Sequence, residues 1–225
     1  MKEIFHRLDD VGKNDFSLEF MLHCEELRIP LLAAVIPARL SAGVARFLRD
    51  SQYVTVLQHG FSHAEWVDGR NDEFPATRSK ANVHHAIKCG RSLLEDSIGK
   101  QINGYVPPWN KTAQQTISVL EELGFSTISG DSETWALLKL QTTMHVINIS
   151  IDCAPCHLYL AVAIREKESI KEEIEILKQN QIDPIGVMYH VHELKPEYQR
   201  KALDLIESLT NDFQVVNFPG LNRET

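Results

Sequence analysis

Ile4-Phe5-His6-Arg7-Leu8-Asp9-Asp10-Val11-Gly12 opens with five residues of strand character and closes on two adjacent carboxylates before a glycine. A short apolar run that stops at turn-forming residues reads as a buried strand. The acidic pair therefore lands at a strand terminus. Working outward, the same grammar repeats. Strand-like runs rich in β-branched residues recur at Leu31–Ile36, Tyr53–Leu57, Ile102–Val106, Phe125–Ile128, Val146–Ile151, Ile185–Tyr189 and Phe213–Val216. Between them Phe16–Leu27, Ala42–Leu48, Lys80–Ile98, Ala113–Leu123, Ser169–Lys178 and Tyr198–Leu209 carry helical spacing. Strict alternation of strand and helix predicts parallel strands covered by helices, in either a (β/α) barrel or a doubly wound sheet. No Gly/Ser-rich linker interrupts it, so residues 1–225 are read as one domain, a size that buries one sizeable core.

In parallel α/β folds the reactive groups gather at the C-terminal ends of strands. Four polar clusters pass that test: Asp9-Asp10, His59-Gly60-Phe61-Ser62-His63 after the third strand, Pro107-Pro108-Trp109-Asn110 after the fourth, and His190-Val191-His192 after the seventh. Two histidines four apart, joined by a carboxylate from elsewhere, form a facial three-ligand set that suits Zn²⁺ and leaves positions open for water and substrate. Asp10 is the candidate third ligand. Asp9, pointing elsewhere, is the candidate general base beside a water made acidic by the metal. Hydrolysis of an amide also needs an acid for the departing amine, and His190 or His192 is placed to serve. Each cluster alone is ordinary. Among ten histidines, chance supplies about 0.4 pairs at this spacing. Asp9-Asp10 could be a helix cap, and Pro107-Pro108 a rigid loop. Their shared placement after strands carries the reading.

The sequence Leu8-Asp9-Asp10-Val11-Gly12, His59-Gly60-Phe61-Ser62-His63, Tyr105-Val106-Pro107-Pro108-Trp109 and Tyr189-His190 resembles the NodB-like polysaccharide deacetylases of carbohydrate esterase family 4. The resemblance runs from residue 4 to about 193. It implies a distorted (β/α) barrel of about seven strands, with Asp9 as base, Asp10, His59 and His63 as metal ligands, Trp109 lining the groove with Asn110 beside it, and His190 or His192 as acid. It also implies a substrate that bears an N-acetyl amino sugar. The chain departs from the pattern at four points: Leu8 stands for an aromatic residue, Val11 separates the aspartates from Gly12, Val106 stands where the family has an arginine, and Tyr189-His190-Val191-His192 replaces Leu-His-Asp. Arg7 is the candidate substitute for the missing arginine. The run Leu32–Pro37 resembles the second strand of remote branches of the superfamily. An inactive sugar-binding module of the same fold, or an esterase or other amide hydrolase, is the competing expectation.

A net charge of −8 and a pI near 5.7 argue against nucleic acid or an anionic bilayer as partner. No run approaches the roughly 18 apolar residues of a membrane span, and four cysteines are too few for a disulfide scaffold, so a cytoplasmic setting is expected. Cys153-Ala-Pro-Cys156-His157 spells a haem-attachment or redox motif but lies after the sixth strand and without an export signal, and reads as two structural thiols. Asp152 is placed either to hold a catalytic imidazole or to make a turn. Trp66 and Trp135 read first as partly buried core residues, with sugar stacking as the alternative. His84-His85 and the Lys171–Glu175 run read as helix surface.

Overall fold

The computed structural model describes residues 3–67, 69, 71–131, 140–154, 163–192 and 194–218. Seven parallel strands, β1 (Glu3–Val11), β2 (Leu31–Val35), β3 (Val54–His59), β4 (Gly104–Val106), β5 (Thr127–Asp131), β6 (His145–Asp152) and β7 (Ile185–Tyr189), pair in chain order. β1 closes the ring by pairing with both β2 and β7, Leu8 lying between Ala33 and Tyr189. A two-residue β8 (Gln214–Val215) adds beside the start of β1. Among the described residues six helices surround the ring: α1 (Phe16–Glu26), α2 (Ala42–Asp50), α3 (Lys80–Ile98), α4 (Gln114–Glu122), α5 (Lys167–Gln179) and α6 (Pro196–Asp212). The expected distorted (β/α) barrel is the observed one, and the doubly wound sheet is excluded because β1 pairs with both ends of the β2-to-β7 series, so the seven strands close without a free edge. No helix of the described residues is long and apolar enough to cross a membrane.

Alternation along β1 sorts its side chains between two environments. Ile4 and Leu8 pack outward against the helices, in the core that holds Phe20, Met21, Ile206 and Leu209. Phe5 faces the lumen with Leu32, Ala34, Leu57, Val106, Ile147, Ile149 and Met188. The lumen is thus plugged with apolar side chains at one end. Arg7 and Asp9, two and four residues beyond Phe5 on the same face, are left to build a polar layer above that plug.

Several strands begin later than their apolar runs suggest, and the reason is consistent. Tyr53 N donates to Glu25 Oε2, Ile102 N donates to Glu95 Oε1, and Phe125 N donates to Leu120 O. Helix side chains and helix ends claim these backbone groups, so the ladder starts one or two residues on. At the functional ends the correction runs the other way. Asp9 and Asp10 lie inside β1 and His59 is the last residue of β3, where the sequence placed them after strand ends.

Candidate metal centre

The polar layer is built on a break in β1. Its register with β2 jumps between Leu8 and Val11, and Asp10 takes a left-handed conformation at φ 62°. This bulge lets two adjacent carboxylates reach one pocket in different directions, which a regular strand forbids. Seven described non-glycine residues have positive φ, and four of them, Asp10, His63, Trp109 and Asn110, stand around this pocket. Each costs about 1–3 kcal/mol, and such strain gathers where function requires it.

Asp10 Oδ1 faces His63 Nε2 at 3.2 Å and His59 Nε2 at 3.5 Å. His59 Nδ1 lies 3.0 Å from the Val106 carbonyl, which can only accept, so in the neutral ring Nδ1 carries the hydrogen and Nε2 presents a bare lone pair. Asp10 Oδ1 is buried and accepts no hydrogen bond among the described residues. A lone pair and a carboxylate oxygen held face to face repel each other unless a cation lies between them. One ligand atom from each of Asp10, His59 and His63 falls within 4.8 Å of the others, as a shared divalent ion requires. The residues fit the ion.

Protonation follows the same logic. Burial and the neighbouring His59 push His63 down to about 4, keeping it neutral as a ligand must be. Burial pushes the Asp10 carboxyl up, but a hydrogen bond donated by a protonated His59 and positive charge on His59, His63 and His190 outweigh it and hold the group below the usual carboxylate range; with the two ligand rings neutral, a bound cation would supply that charge in their place. At His190, burial pulls down but Asp152, followed by Asp9 and Asp10, raises the imidazole to about 9. Its Nδ1 lies 3.5 Å from Asp152 Oδ1, and its Nε2 lies 4.0 Å from Asp9 Oδ2 and 3.9 Å from Asp10 Oδ2. His192 Nδ1 is 4.0 Å from Asp10 Oδ2. Of the two roles open to Asp152, the imidazole-facing one is the one observed, although its other contact, to Ala154 N, is a turn.

Arg7 is fully buried, and its guanidinium grips Asp9 through Nε to Oδ1 and Nη2 to Oδ2, both at 2.7 Å. The remaining donors reach Ser129 Oγ at 2.8 Å, Asn110 Oδ1 at 2.9 Å and Met188 Sδ. The guanidinium thus holds Asp9, a contact that the aliphatic Val106 cannot make. Asn110 is brought to the site, but with its oxygen committed to Arg7. The Trp109 ring packs on His63 with centroids 4.1 Å apart. All nine residues singled out by sequence, Arg7, Asp9, Asp10, His59, His63, Trp109, Asn110, His190 and His192, meet at one end of the barrel.

Sequence reading missed Glu73. This buried carboxylate accepts from the backbone N–H of Phe61, Ser62 and His63 at 3.2, 2.9 and 3.2 Å, and from Ser62 Oγ at 3.0 Å. It ties down the loop that carries His63. Gly60, at φ 60°, is required there, because a Cβ would stand 2.2 Å from Glu73 Oε2 and 2.5 Å from Pro108. A lone acid ten residues beyond His63 carries no local pattern that reveals this.

No protein-family model matches the sequence, and no curated protein matches it. Solved structures do. A family 4 acetyl xylan esterase from Clostridium thermocellum, in complex with a cobalt ion, superposes with a TM-score of 0.61 over 98% of this chain and 90% of its own, at 13% identity. The chain has the fold of the family 4 carbohydrate esterases. The Bc1960 peptidoglycan N-acetylglucosamine deacetylase gives a TM-score of 0.63 over 97% of this chain and 87% of its own, at 13% identity. BA3943 from Bacillus anthracis, a pseudoenzyme of carbohydrate esterase family 4, gives 0.61 over 98% and 65%, at 11% identity. At these identities the likeness is one of fold, so the chemistry must come from the site itself.

Cys153 is a buried thiol pushed well above its ordinary value by burial, while Cys156, His157 and Trp135 lie outside the described residues. Trp66 is 47% exposed rather than in the core, with the Arg78 guanidinium 4.4 Å from the ring centroid. Lys171 pairs with Asp212 between α5 and α6, so that charge run is partly a helix contact.

Proposed function

We propose that this chain is a metal-dependent hydrolase that removes the N-acetyl group from an amino sugar or sugar precursor in surface-polysaccharide synthesis. The observation that carries the reading is the convergence of Asp10 Oδ1, His59 Nε2 and His63 Nε2 on one point beside an arginine-held Asp9. A divalent ion there, with Zn²⁺ the first candidate, supplies Lewis acidity toward a carbonyl and a water activated near neutral pH. Asp9, fixed by the Arg7 fork, takes a proton from the attacking water. His190, protonated at neutral pH, delivers one from Nε2 to the amine nitrogen as the C–N bond breaks. The products are acetate and a free amine. Trp109 buttresses His63 and walls the groove, and His192 stands near the same Asp10 oxygen as His190.

An imidazole held protonated favours an amide over an ester, because a departing alcohol needs less protonation than a departing amine. A second reading has its own observation: both Asp9 oxygens are engaged by Arg7 at 2.7 Å, which occupies a lone pair on each oxygen that a base would offer to water. That arrangement suits a module that binds sugar without turning it over. Acetate release from nucleotide-linked and lipid-linked N-acetyl amino sugars by the zinc-loaded protein, with Asp9→Asn as control, separates the two. The deacetylase reading requires acetate from wild type and none from Asp9→Asn. Sugar binding with no acetate from wild type replaces it with the module.

A further inference from the structure

Beside the metal ligands lies a cavity of about 190 Å³ lined by Asp10, Gly12, Lys13, Asp15, Arg39 and His192. Its construction is specific. The loops after β1 and β2 are laced by Ile36 N to Val11 O at 2.8 Å, Ser41 N to Gly12 O at 2.7 Å and Ser41 Oγ to Asn14 Oδ1 at 2.6 Å. Gly12 lets the strands of loop touch, since a Cβ there would stand 2.9 Å from Arg39 Cβ and 3.1 Å from its carbonyl oxygen. Arg39 is anchored by one donor, Nη2 to His63 O at 3.1 Å.

The cavity brings two cations to the edge of the metal site. Acidic residues outnumber basic ones by 31 to 23, and several surface cations pair with carboxylates, Lys80 with Glu122, Arg165 with Glu173 and Lys201 with Glu166. Among the described residues neither Lys13 nor Arg39 is ion-paired, although two carboxylates line the same cavity. Those carboxylates are committed elsewhere, Asp15 to capping α1 through Ser17 N and Asp10 to the imidazoles. With Asp10 given to a divalent ion, the cavity sets Lys13 and Arg39 against the single carboxylate of Asp15 and is net positive at the edge of the reacting centre.

We infer that Lys13 and Arg39 form an oxyanion subsite, so that the substrate is an N-acetyl amino sugar carrying a phosphoryl or carboxylate group close to the acetamide. This rests on the deacetylase reading for the acetamide, and on the cavity alone for the oxyanion. Phosphoryl and carboxylate oxygens both suit an arginine and a lysine that line one cavity.

The test uses the zinc-loaded full chain with N-acetylglucosamine 1-phosphate, N-acetylglucosamine 6-phosphate, an N-acetylated aminouronic acid and neutral N-acetylglucosamine. Wild type should favour an anionic sugar over the neutral one by at least about 10-fold in kcat/KM, a preference that shrinks as salt is raised. Lys13→Gln should cut that preference by on the order of 10-fold, and Arg39→Lys should retain more of it than Arg39→Gln. Which anionic sugar is preferred identifies the oxyanion. Calorimetry with Asp9→Asn gives a readout independent of turnover: the anionic sugar should bind more tightly than the neutral one, and Lys13→Gln should erase the difference. Equal turnover and equal binding of neutral and anionic sugars would overturn the subsite while leaving the deacetylase intact. Selective oxyanion binding without acetate release would do the reverse.

Discussion

Replacing Arg7 with methionine tests the most unusual feature of the site. Arg7 and Asp9 are 0% and 2% exposed, and the fork between them has two 2.7 Å bonds. Met keeps most of the stem's packing but removes the charge, leaving a buried carboxylate unpaired and Ser129 and Asn110 without their shared donor. Breaking a buried pair this way costs about 3–5 kcal/mol. For a chain of this size each kcal/mol moves Tm by roughly 2–4 °C, so the expected drop is about 6–20 °C. Asp9→Asn should also destabilise, but the double variant should not add the two losses, because each single change already leaves the other partner stranded. Chemical denaturation of the four proteins completes the cycle, and Arg7→Lys, which cannot fork, should rescue little. An Arg7→Met protein within 1 kcal/mol of wild type, or strictly additive losses, would refute the idea that Arg7 holds Asp9.

Three further outcomes follow from the same geometry. Glu73→Gln places an amide where backbone N–H groups converge, and should weaken zinc affinity by about 10–100-fold in a chelator competition while the far-UV spectrum stays unchanged; unchanged affinity would remove Glu73 from the metal loop. His6 is buried between Tyr189 and Thr210 and held down to about 3 by burial, against 6.5 when unfolded. Its stabilising contribution is complete above pH 6.5 and is lost as pH falls toward 3. The loss is about 2 kcal/mol by pH 5, so the acid slope of stability should flatten in His6→Gln. Asp152→Asn removes the largest upward influence on His190, so the alkaline limb of kcat should move toward lower pH, and an unmoved limb would argue for His192 as the acid.

Much of this was legible in the sequence because the barrel is written in local period. Strand and helix alternate along the chain, and polar clusters at strand ends announce one face. What was not legible depends on register and on loops. The spacing of two puts Arg7 and Asp9 on one face of β1, but that this face is the lumen and not the helix side follows from the pairing with β2 and β7. The bulge at Asp10 is likewise a property of the β1–β2 pairing. Glu73 and the laced loops bearing Lys13 and Arg39 work through backbone contacts between segments distant in sequence, where residue type gives no signal. Tyr53, Ile102 and Phe125 look like strand residues but serve helices, because their N–H groups meet Glu25, Glu95 and the end of α4 first.

The central claim, a divalent ion held by Asp10, His59 and His63, is tested most directly by elemental analysis after zinc loading and desalting, comparing wild type with Asp10→Ala. Wild type should retain about one zinc per chain and Asp10→Ala almost none. A wild-type protein that retains no divalent metal, or equal retention in both, would contradict the account.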